Sequence, residues 1–285
     1  MAGINIKEIL ERTVKHFEEY DIPNPRLDAE VLLADLLEME RIRLYVNFDQ
    51  PLTSDEIDEY RRRVVLRSKR VPVQYIVGNQ EFMSIDFKVD KNVLIPRPET
   101  EHLVETVIEF IEENNIENPL IADVGTGSGA IAVSLAYHVP SVRVLGVDIS
   151  PEALKVAKEN AERYNLRDRV KFLKGSYLEP IKEKGFSPNI IVSNPPYFKK
   201  EDFDGLQPEV EYEPRLALDG GNSGYEAYQQ IISQSEILVP GGLLAFEVGE
   251  GQAAEVASLM KNKFEQIEII PDLAGIDRVV KGRKS

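Results

Sequence analysis

Residues 190–198 combine residue types that could bind a planar, nitrogen-containing group. They read Ile-Ile-Val-Ser-Asn-Pro-Pro-Tyr-Phe, an apolar run followed by an amide, two prolines and aromatic rings. Proline cannot donate to a sheet, so a strand here must end at Ser193 or Asn194. The Asn194 side chain offers both an acceptor and a donor, and Tyr197 could stack on the same flat group. The pattern predicts a site for a planar nitrogen nucleophile at the carboxyl end of a strand, where open α/β sheets bind ligands.

A glycine-rich loop forms a second candidate element. Residues 123–129 read Asp-Val-Gly-Thr-Gly-Ser-Gly, after an apolar run and before a helical segment. Glycines let the backbone turn sharply and approach a ligand closely, beside the free N–H groups of a helix N-terminus. The spacing alone is a weak signal because dinucleotide-binding folds share it, but the absence of a following lysine excludes a phosphate-binding P-loop. We therefore expect a ligand at this loop.

Two further side chains follow neighbouring predicted strands. Asp148 ends the next apolar strand, about twenty residues beyond the loop, where a carboxylate can accept hydrogen bonds from both hydroxyls of a ribose. Capping of the helix that starts at Pro151 fits Ser150 better than Asp148. Tyr177 follows the third strand. It could cover an adenine ring or serve as an ordinary core aromatic residue.

The chain from residue 119 onward alternates between strand and helix patterns. Strands that alternate with helices indicate a parallel sheet. Two closing strands, at residues 266–270 and 277–281, are joined by a short segment. This short connection predicts that the last strand inserts antiparallel to the others.

Different patterns precede this α/β region and predict a division of the chain. Residues 1–71 carry helical apolar spacing and are expected to form a small helical domain. Residues 74–78 and 82–89 alternate like strands, which predicts a β-hairpin within a linker at residues 72–98. Residues 99–285 would then form the catalytic domain.

A cluster of basic residues marks the end of one predicted helix, which begins with a capping box formed by Thr53 and Glu56. The cluster consists of Arg61, Arg62, Arg63, Arg67, Lys69 and Arg70. One interpretation is a solvated helix face whose cations are favoured by the helix dipole. The other is a docking patch for an acidic partner.

Composition excludes several classes of site. The 285 residues include no cysteine, which excludes disulfides and thiolate metal sites. The three scattered histidines argue against a histidine metal site, so no metal is expected. The net charge of −15 argues against a broad nucleic-acid surface. The N-terminal residues have the pattern of an amphipathic helix rather than a signal peptide, and no apolar run is long enough to span a membrane. We expect a cytoplasmic protein, and a monomer because nothing in the sequence demands more.

The glycine loop, the acid one strand later and Asn194-Pro-Pro-Tyr197 together resemble class I S-adenosylmethionine-dependent methyltransferases. The Asn-Pro-Pro-Tyr tetrad is shared by amino-methyltransferases that act on adenine in DNA and on glutamine in proteins. Further motifs resemble the HemK/PrmC family over nearly the whole chain; they lie at residues 26–30, 96–101, 213–214, 218–220 and 272–278.

This resemblance implies a fold, a cofactor and a substrate. The fold would be α/β and Rossmann-like, with a mostly parallel seven-stranded sheet and an antiparallel last strand. The helical N-terminal domain, residues 1–71, would recognise the substrate. S-adenosyl-L-methionine would be converted to S-adenosyl-L-homocysteine. The methylated group would be the glutamine of the Gly-Gly-Gln motif in class I peptide chain release factors.

The resemblance also implies site residues. The residues expected to bind the cofactor are Asp123, Gly125, Thr126, Gly127, Ser128, Gly129, Asp148, Ser176, Tyr177 and Asn194. The catalytic and substrate-binding residues would be Asn194, Pro195, Pro196 and Tyr197. The Asn194 side-chain carbonyl and the Pro195 backbone carbonyl would accept hydrogen bonds from the substrate amide. No general base is needed, because the proton can leave after methyl transfer.

The sequence departs from the family pattern at two places and leaves alternatives open. Ser176 stands where an acidic residue is usual, and Met83-Ser84 replaces an aromatic-glycine pair. The substrate could instead be a glutamine of a ribosomal large-subunit protein, or adenine in DNA. A non-catalytic cofactor-binding protein is the alternative from another class.

Overall fold

The computed structural model describes residues 4–285, which divide into two compact units. The first comprises the chain up to Asn79 together with residues Gln207–Tyr212, and the second comprises Gln80–Leu206 and Glu213–Ser285. No helix formed by residues 4–285 is long and apolar enough to cross a membrane.

The first unit is helical, as the sequence predicts. Its helices are α1 (Ile6–Glu19), α2 (Pro25–Leu36), α3 (Arg41–Val46), α4 (Ser54–Ser68) and α5 (Val73–Val77). Their apolar faces meet in one core in which Leu10, Phe17 and Tyr60 are buried. The capping box of α4 is confirmed, because Thr53 Oγ1 accepts from the Glu56 N–H and the Glu56 carboxylate accepts from the Thr53 N–H.

The prediction of a strand at residues 74–78 is wrong, because the chain forms α5 there. Val73, Ile76 and Val77 pack against the core of the first unit, and this i, i+3, i+4 spacing places them on one face of a helix. Pro72 opens the helix and Gly78, with φ at +75°, ends it. The β-branched residues suggested a strand, and packing overrides that preference.

A β-hairpin is present in the predicted linker, but the predicted pairing of residues 74–78 with 82–89 is wrong, because the hairpin turn falls within the second predicted strand. Its strands are β1 (Asn79–Phe82) and β2 (Ile85–Lys88), joined at Met83 and Ser84. Both turn residues have positive φ, at 50° and 60°, as a tight two-residue hairpin turn requires. The Met83 N–H donates to the Glu101 carboxylate at 2.6 Å, which holds the turn in place without the glycine that favours such a conformation.

A buried ion network ties residues 207–212 to the helices of the first unit. Arg67, only 4% exposed, donates from Nε to Asp28 and from Nη2 to Glu209, each at 2.7 Å. Arg70 donates to the second oxygen of Glu209 at 2.8 Å. The interpretation of the basic cluster as a solvated helix face is therefore wrong for Arg67. It fits Arg61, whose exposed side chain pairs with Asp58.

The second unit has the predicted α/β architecture. Within the described residues, its sheet has the strand order β5-β4-β3-β6-β7-β9-β8. The strands are β3 (Leu120–Val124), β4 (Arg143–Asp148), β5 (Val170–Lys174), β6 (Ile190–Ser193), β7 (Leu243–Glu247), β8 (Phe264–Pro271) and β9 (Asp277–Lys284). β3 to β7 pair in parallel, whereas β9 inserts antiparallel between β7 and β8, as predicted.

Helices cover both faces of this sheet, and each face carries its own apolar core. They are α6 (Glu101–Glu113), α7 (Ala130–His138), α8 (Pro151–Arg163), α9 (Glu179–Glu183), α10 (Glu226–Gln234) and α11 (Ala253–Met260). The chain runs from β3 outward to β4 and β5, and then returns to place β6 on the other side of β3. Such a reversal of strand order opens a crevice at the carboxyl ends of the strands, which is the usual ligand site of an open α/β sheet.

We expect Arg67→Ala to lower the free energy of unfolding by about 3–5 kcal/mol, because it leaves the buried Asp28 carboxylate without its cation. Urea unfolding followed by circular dichroism measures the loss. Arg61→Ala is the matched control and should cost less than about 1 kcal/mol, since its ion pair is exposed to solvent. Equal losses in the two variants would contradict a structural role for the buried network.

Candidate active site

A cavity of about 250 Å³ lies at the carboxyl ends of β3, β4 and β6. Its wall brings together eight of the residues singled out from the sequence: Gly125, Gly127, Asp148, Ser176, Tyr177, Asn194, Pro195 and Pro196. These residues come from turns that are far apart in the chain. Parallel pairing of these three strands, and of β4 with β5, whose end precedes Ser176 and Tyr177, delivers the turns to the same edge of the sheet.

The glycine loop presents bare backbone to this cavity. The N–H groups of Gly125 and Thr126 donate to the Val147 carbonyl at 2.8 and 2.9 Å, which anchors the loop to the end of β4. Gly125 and Gly127 have φ at +74° and +54°, in the left-handed region that favours glycine. Within the part of the chain that the structure describes, no atom outside the neighbouring residues lies within 4 Å of a Cβ built at Gly125, so the loop faces open space there.

A buried carboxylate holds the loop from behind. Asp123 is fully buried and accepts from the Thr126 hydroxyl at 2.5 Å. Burial raises the pKa of Asp123 to about 7, although the hydrogen bond from Thr126 lowers it. Gly129 is packed tightly, because a Cβ built there would lie 3.1 Å from the Cβ of Ala157. The predicted cofactor residues Asp123, Thr126, Ser128 and Gly129 are therefore not part of the cavity wall, and they fix the shape of the loop.

Asn160 is a buried loop support that the sequence analysis missed. Its side-chain amide donates to the carbonyls of Ser128 at 2.8 Å and Lys88 at 3.0 Å, and its Oδ1 accepts from the Lys88 N–H at 2.7 Å. It thus joins α8, the glycine loop and β2. An asparagine on the apolar face of α8 is the one signal that could have indicated this role.

Asp148 is bound to the loop as well as facing the cavity. One carboxylate oxygen accepts from the Gly127 N–H and the other from the Ser150 N–H, both at 2.9 Å. Burial raises the pKa of Asp148, and these backbone hydrogen bonds lower it. Each oxygen retains acceptor capacity for a ligand hydroxyl. The Ser150 side chain caps α8, accepting from Ala153, as the sequence predicts.

Ser176 and Tyr177 form another part of the wall. Tyr177 has φ at 48°, an uncommon conformation for an aromatic residue. Burial is the main cause of the raised pKa of its phenol. The ring packs beside one of the two apolar cores of the second unit, so it is both a core neighbour and a cavity residue.

The predicted strand end is confirmed at Ser193. The Ser193 hydroxyl donates to the Val124 carbonyl at 2.6 Å and ties the end of β6 to the end of β3. Asn194 then donates from Nδ2 to the Thr100 hydroxyl at 3.2 Å. Pro195 and Pro196 continue along the cavity wall.

Tyr197 is enclosed and does not line this cavity. Gln252 donates to its carbonyl at 3.2 Å. A Cβ built at Gly220 would lie 2.7 Å from the Tyr197 Cα, and one built at Gly249 would lie 2.9 Å from its ring. Burial raises the pKa of the Tyr197 phenol to about 12, so the ring stays neutral at physiological pH.

Glu247 is the buried acid next to Asn194 that the sequence analysis missed. It ends β7, which pairs with β6 so that Phe246 lies opposite Ser193. Burial raises the pKa of its carboxyl to about 7, and hydrogen bonds with Thr100 and Asn194 lower it. A single acid ending an otherwise apolar strand was the available signal.

An ion pair joins two of the family-like motifs. The Arg97 guanidinium donates to Glu213, whose other oxygen accepts from the Ile95 N–H at 3.4 Å. Burial raises the pKa of Glu213, and the Arg97 cation lowers it. The following residue, Pro214, lines the cavity, so the pair holds this part of the wall in place.

Comparison with known proteins identifies the family. Residues 8–78 match the model of the PrmC N-terminal domain, and residues 100–207 match that of the methyltransferase small domain. A release factor glutamine methyltransferase of Clostridium acetobutylicum is 44% identical, with 89% of each chain covered. One of Geobacter sulfurreducens is also 44% identical, over 98% of this chain and 96% of the other. The chain belongs to the release factor glutamine methyltransferase family.

Membership of this family confirms the predicted resemblance, and with it methyltransferase activity. Methyltransferases of this class use S-adenosylmethionine in general. Among solved structures, a methyltransferase from Pyrococcus furiosus has a TM-score of 0.51 at 15% identity, with 82% of this chain and 100% of the other covered. That likeness concerns the fold alone, and it agrees with the class I topology of the second unit.

We expect Gly220→Ala to reduce methyl transfer by up to about 10²-fold, because its new Cβ must push the backbone of Pro196 and Tyr197 out of place. Overpacking of this kind should also lower the free energy of unfolding by about 1–3 kcal/mol. Turnover measured at saturating substrates tests the first effect. Gly205→Ala is the control, since no atom lies within 4 Å of a Cβ built at Gly205. Full turnover in Gly220→Ala would contradict the tight packing around Tyr197.

Proposed function

We propose that this protein methylates the side-chain amide nitrogen of the glutamine in the Gly-Gly-Gln motif of class I peptide chain release factors, with S-adenosylmethionine as methyl donor. The observation that carries the proposal is the shared cavity. The Asn194-Pro195-Pro196 turn lines the same cavity as Gly125, Gly127 and Asp148. A group held at the turn and a cofactor held at the loop would therefore meet. Relatives with the release factor name at 44% identity support the choice of substrate.

The chemistry of the loop fits the cofactor. The bare backbone at Gly125 and Gly127 allows close approach of a ligand, and the Asp148 carboxylate beside it can accept hydrogen bonds from ribose hydroxyls. Ser176 and Tyr177 would border the adenine. S-adenosylmethionine, when bound, supplies an electrophilic methyl group attached to a sulfonium.

Asn194 has the side-chain geometry to hold a glutamine amide. Its Nδ2 is directed to Thr100, which leaves Oδ1 as the acceptor available for a substrate. Asn194 Oδ1 and the Pro195 backbone carbonyl would each accept one of the two amide hydrogens. An amide nitrogen is a poor nucleophile because its lone pair is delocalised into the carbonyl. Two fixed acceptors orient that nitrogen and stabilise the positive charge that develops on it.

The first unit is the proposed binding element for the protein substrate. Helix α3 leaves Ile42, Tyr45 and Val46 exposed, with 63%, 45% and 74% of their surfaces accessible. Clustered exposed apolar side chains are typical of protein-interaction surfaces. We assign substrate recognition to the unit that contains residues 1–71, and catalysis to the part of the chain from residue 99 onward.

Replacement of Asp148 tests the cofactor assignment. We expect Asp148→Ala to weaken binding of S-adenosylmethionine by more than about tenfold, since hydrogen bonds to a charged group contribute about 1.5–3 kcal/mol each. Isothermal titration calorimetry measures the affinity. Asp168→Ala, which removes an exposed carboxylate elsewhere in the same unit, is the control and should bind normally. Equal affinities in the two variants would argue against a ribose contact at Asp148.

Transfer of labelled methyl groups tests the substrate. A purified release factor, the same factor with its Gly-Gly-Gln glutamine replaced, and duplex DNA are offered side by side. We expect label on the unaltered factor alone. Label on DNA would overturn the substrate but not the cofactor site, and label on neither would direct the search to ribosomal large-subunit proteins.

Replacement of Asn194 tests the proposed amide acceptor. We expect Asn194→Ala to lower the turnover number by about 10²–10³-fold, because one preorganised hydrogen-bonding group at the reacting centre is lost. Cofactor affinity should change far less. Unchanged turnover with normal cofactor binding would contradict the mechanism.

A further inference from the structure

Glu247 is a buried carboxylate with no place in the reaction outlined above. It is 4% exposed and does not line the cavity, and its Oε2 has no hydrogen-bond partner among residues 4–285. Glu247 follows Phe246, which pairs with Ser193, so it lies at the level of Asn194, whose amide donates to Thr100. The Thr100 hydroxyl and the Asn194 amide both lower the pKa of the Glu247 carboxyl group. Burying a carboxylate costs free energy unless its partners compensate. We therefore asked what the Glu247 carboxylate does beside Asn194, the proposed acceptor for the substrate amide.

The hydrogen bonds around Thr100 have a definite direction. A hydroxyl donates one hydrogen and accepts through its lone pairs. An ionised carboxylate can only accept, so in that state the Thr100 hydroxyl and the Asn194 amide act as donors toward Glu247. The lone pair of the Thr100 hydroxyl then accepts from Nδ2 of Asn194, the contact found at 3.2 Å. This sequence of donors and acceptors leaves Oδ1 of Asn194 as the group available to a substrate.

The direction of these hydrogen bonds is no longer fixed if Glu247 is protonated or is replaced by glutamine. The protonated carboxyl and the glutamine amide can each donate to Thr100. The Thr100 hydroxyl could then turn and donate to Oδ1 of Asn194, which would bring the amide donor rather than the acceptor toward the substrate. An asparagine side chain accommodates this half-turn without a change in shape, since its oxygen and nitrogen are nearly identical in size.

We propose that Glu247, in its carboxylate form, is a positioning residue that fixes the orientation of the Asn194 side chain through its contacts with Thr100 and with the Asn194 amide. The inference rests on the proposed function, in which Asn194 presents its carbonyl to the glutamine amide. Glu247 makes no contact with the substrate, and its effect on the reaction passes through the two polar side chains that it touches.

The groups that face Glu247 determine when it carries its charge. Glu99 raises the pKa of its carboxyl and Arg278 lowers it, while Thr100 and Asn194 lower it by hydrogen bonding. Burial is the largest effect and brings the pKa to about 7. The neighbouring phenols of Tyr197 and Tyr228 have raised pKa values and stay neutral in this range. The carboxylate form therefore predominates above pH 7 and is lost as the pH falls below it.

The first test is the pH profile of the turnover number for the wild type and for Glu247→Gln, with the release factor and the cofactor saturating. We expect the wild type to lose activity as the pH falls through about 7. Glu247→Gln should have a lower turnover number, by up to about 10²-fold, and should lack this acid limb. Its cofactor affinity should match the wild type, which also shows that it is folded.

Two further variants sharpen this comparison. Thr100→Val keeps the side-chain shape but removes the hydroxyl, leaving the direct contact between Glu247 and Asn194, so it should lower the turnover number less than Glu247→Gln does and should retain an acid limb. Glu250→Gln removes an exposed carboxylate just beyond β7 and should leave both unchanged. A wild-type turnover number and acid limb in Glu247→Gln would overturn the inference.

A second measurement does not depend on the substrate. The side-chain amide resonances of Asn194, assigned by their loss in Asn194→Asp, should titrate with a midpoint near pH 7 in the wild type and stay constant in Glu247→Gln. If the release factor is not methylated but these resonances titrate, the proposed function fails and the link between Glu247 and Asn194 stands. If methylation occurs and the resonances do not respond to pH, the inference fails alone.

Discussion

Parallel pairing of β3 with both β4 and β6 is the constraint on which the candidate site depends. In this register Val124 lies opposite Val147, and Asp123 lies opposite Val192, so the three strands end at nearly the same level. Each strand then enters a turn that carries one part of the site. The Val147 carbonyl at the end of β4 accepts hydrogen bonds from the glycine loop. The Ser193 hydroxyl at the end of β6 donates to the end of β3.

Buried carboxylates contact the polar side chains of both turns at this edge of the sheet. Asp123 and Glu247 lie under the glycine loop and the Asn-Pro-Pro-Tyr turn respectively, each nearly inaccessible to solvent. Both have a pKa raised to about 7 by burial, which means that their ionised forms are costly. The sheet tolerates this cost where polar side chains must hold the turns at the strand ends in a single arrangement. The adjacent strand interiors remain apolar.

The parts of the site that could be predicted are those whose residues lie together in one short stretch of the sequence. The glycine loop, Asp148 and the turn at Asn194 could be found because each follows an apolar strand and contains its own signal. Glu247, Thr100 and Asn160 could not be assigned in this way. Their roles arise from contacts between distant elements, as in the bond between Asn194 and Thr100, which spans 94 residues.

The fold shows the same division between local and distant effects. The βα alternation and the antiparallel last strand follow from periodicity and from a short connection. Helix α5 was mistaken for a strand because its β-branched residues gave a stronger signal than its i, i+3, i+4 apolar spacing. Arg67 was taken for a surface residue because neither Asp28 nor Glu209 is near it in the chain.

The assignment of residues 207–212 to the first unit has a consequence for biosynthesis. Glu209 pairs with Arg67 across 142 residues, and in between the chain forms β1 to β6 of the second unit. A nascent chain that has left the ribosome only as far as Asn79 therefore carries the helices without the anion that completes their buried network. Final consolidation of the N-terminal helices must wait until more than half of the other unit has been synthesised. The two units thus have separate cores, but the first unit cannot complete its folding before much of the second has been synthesised.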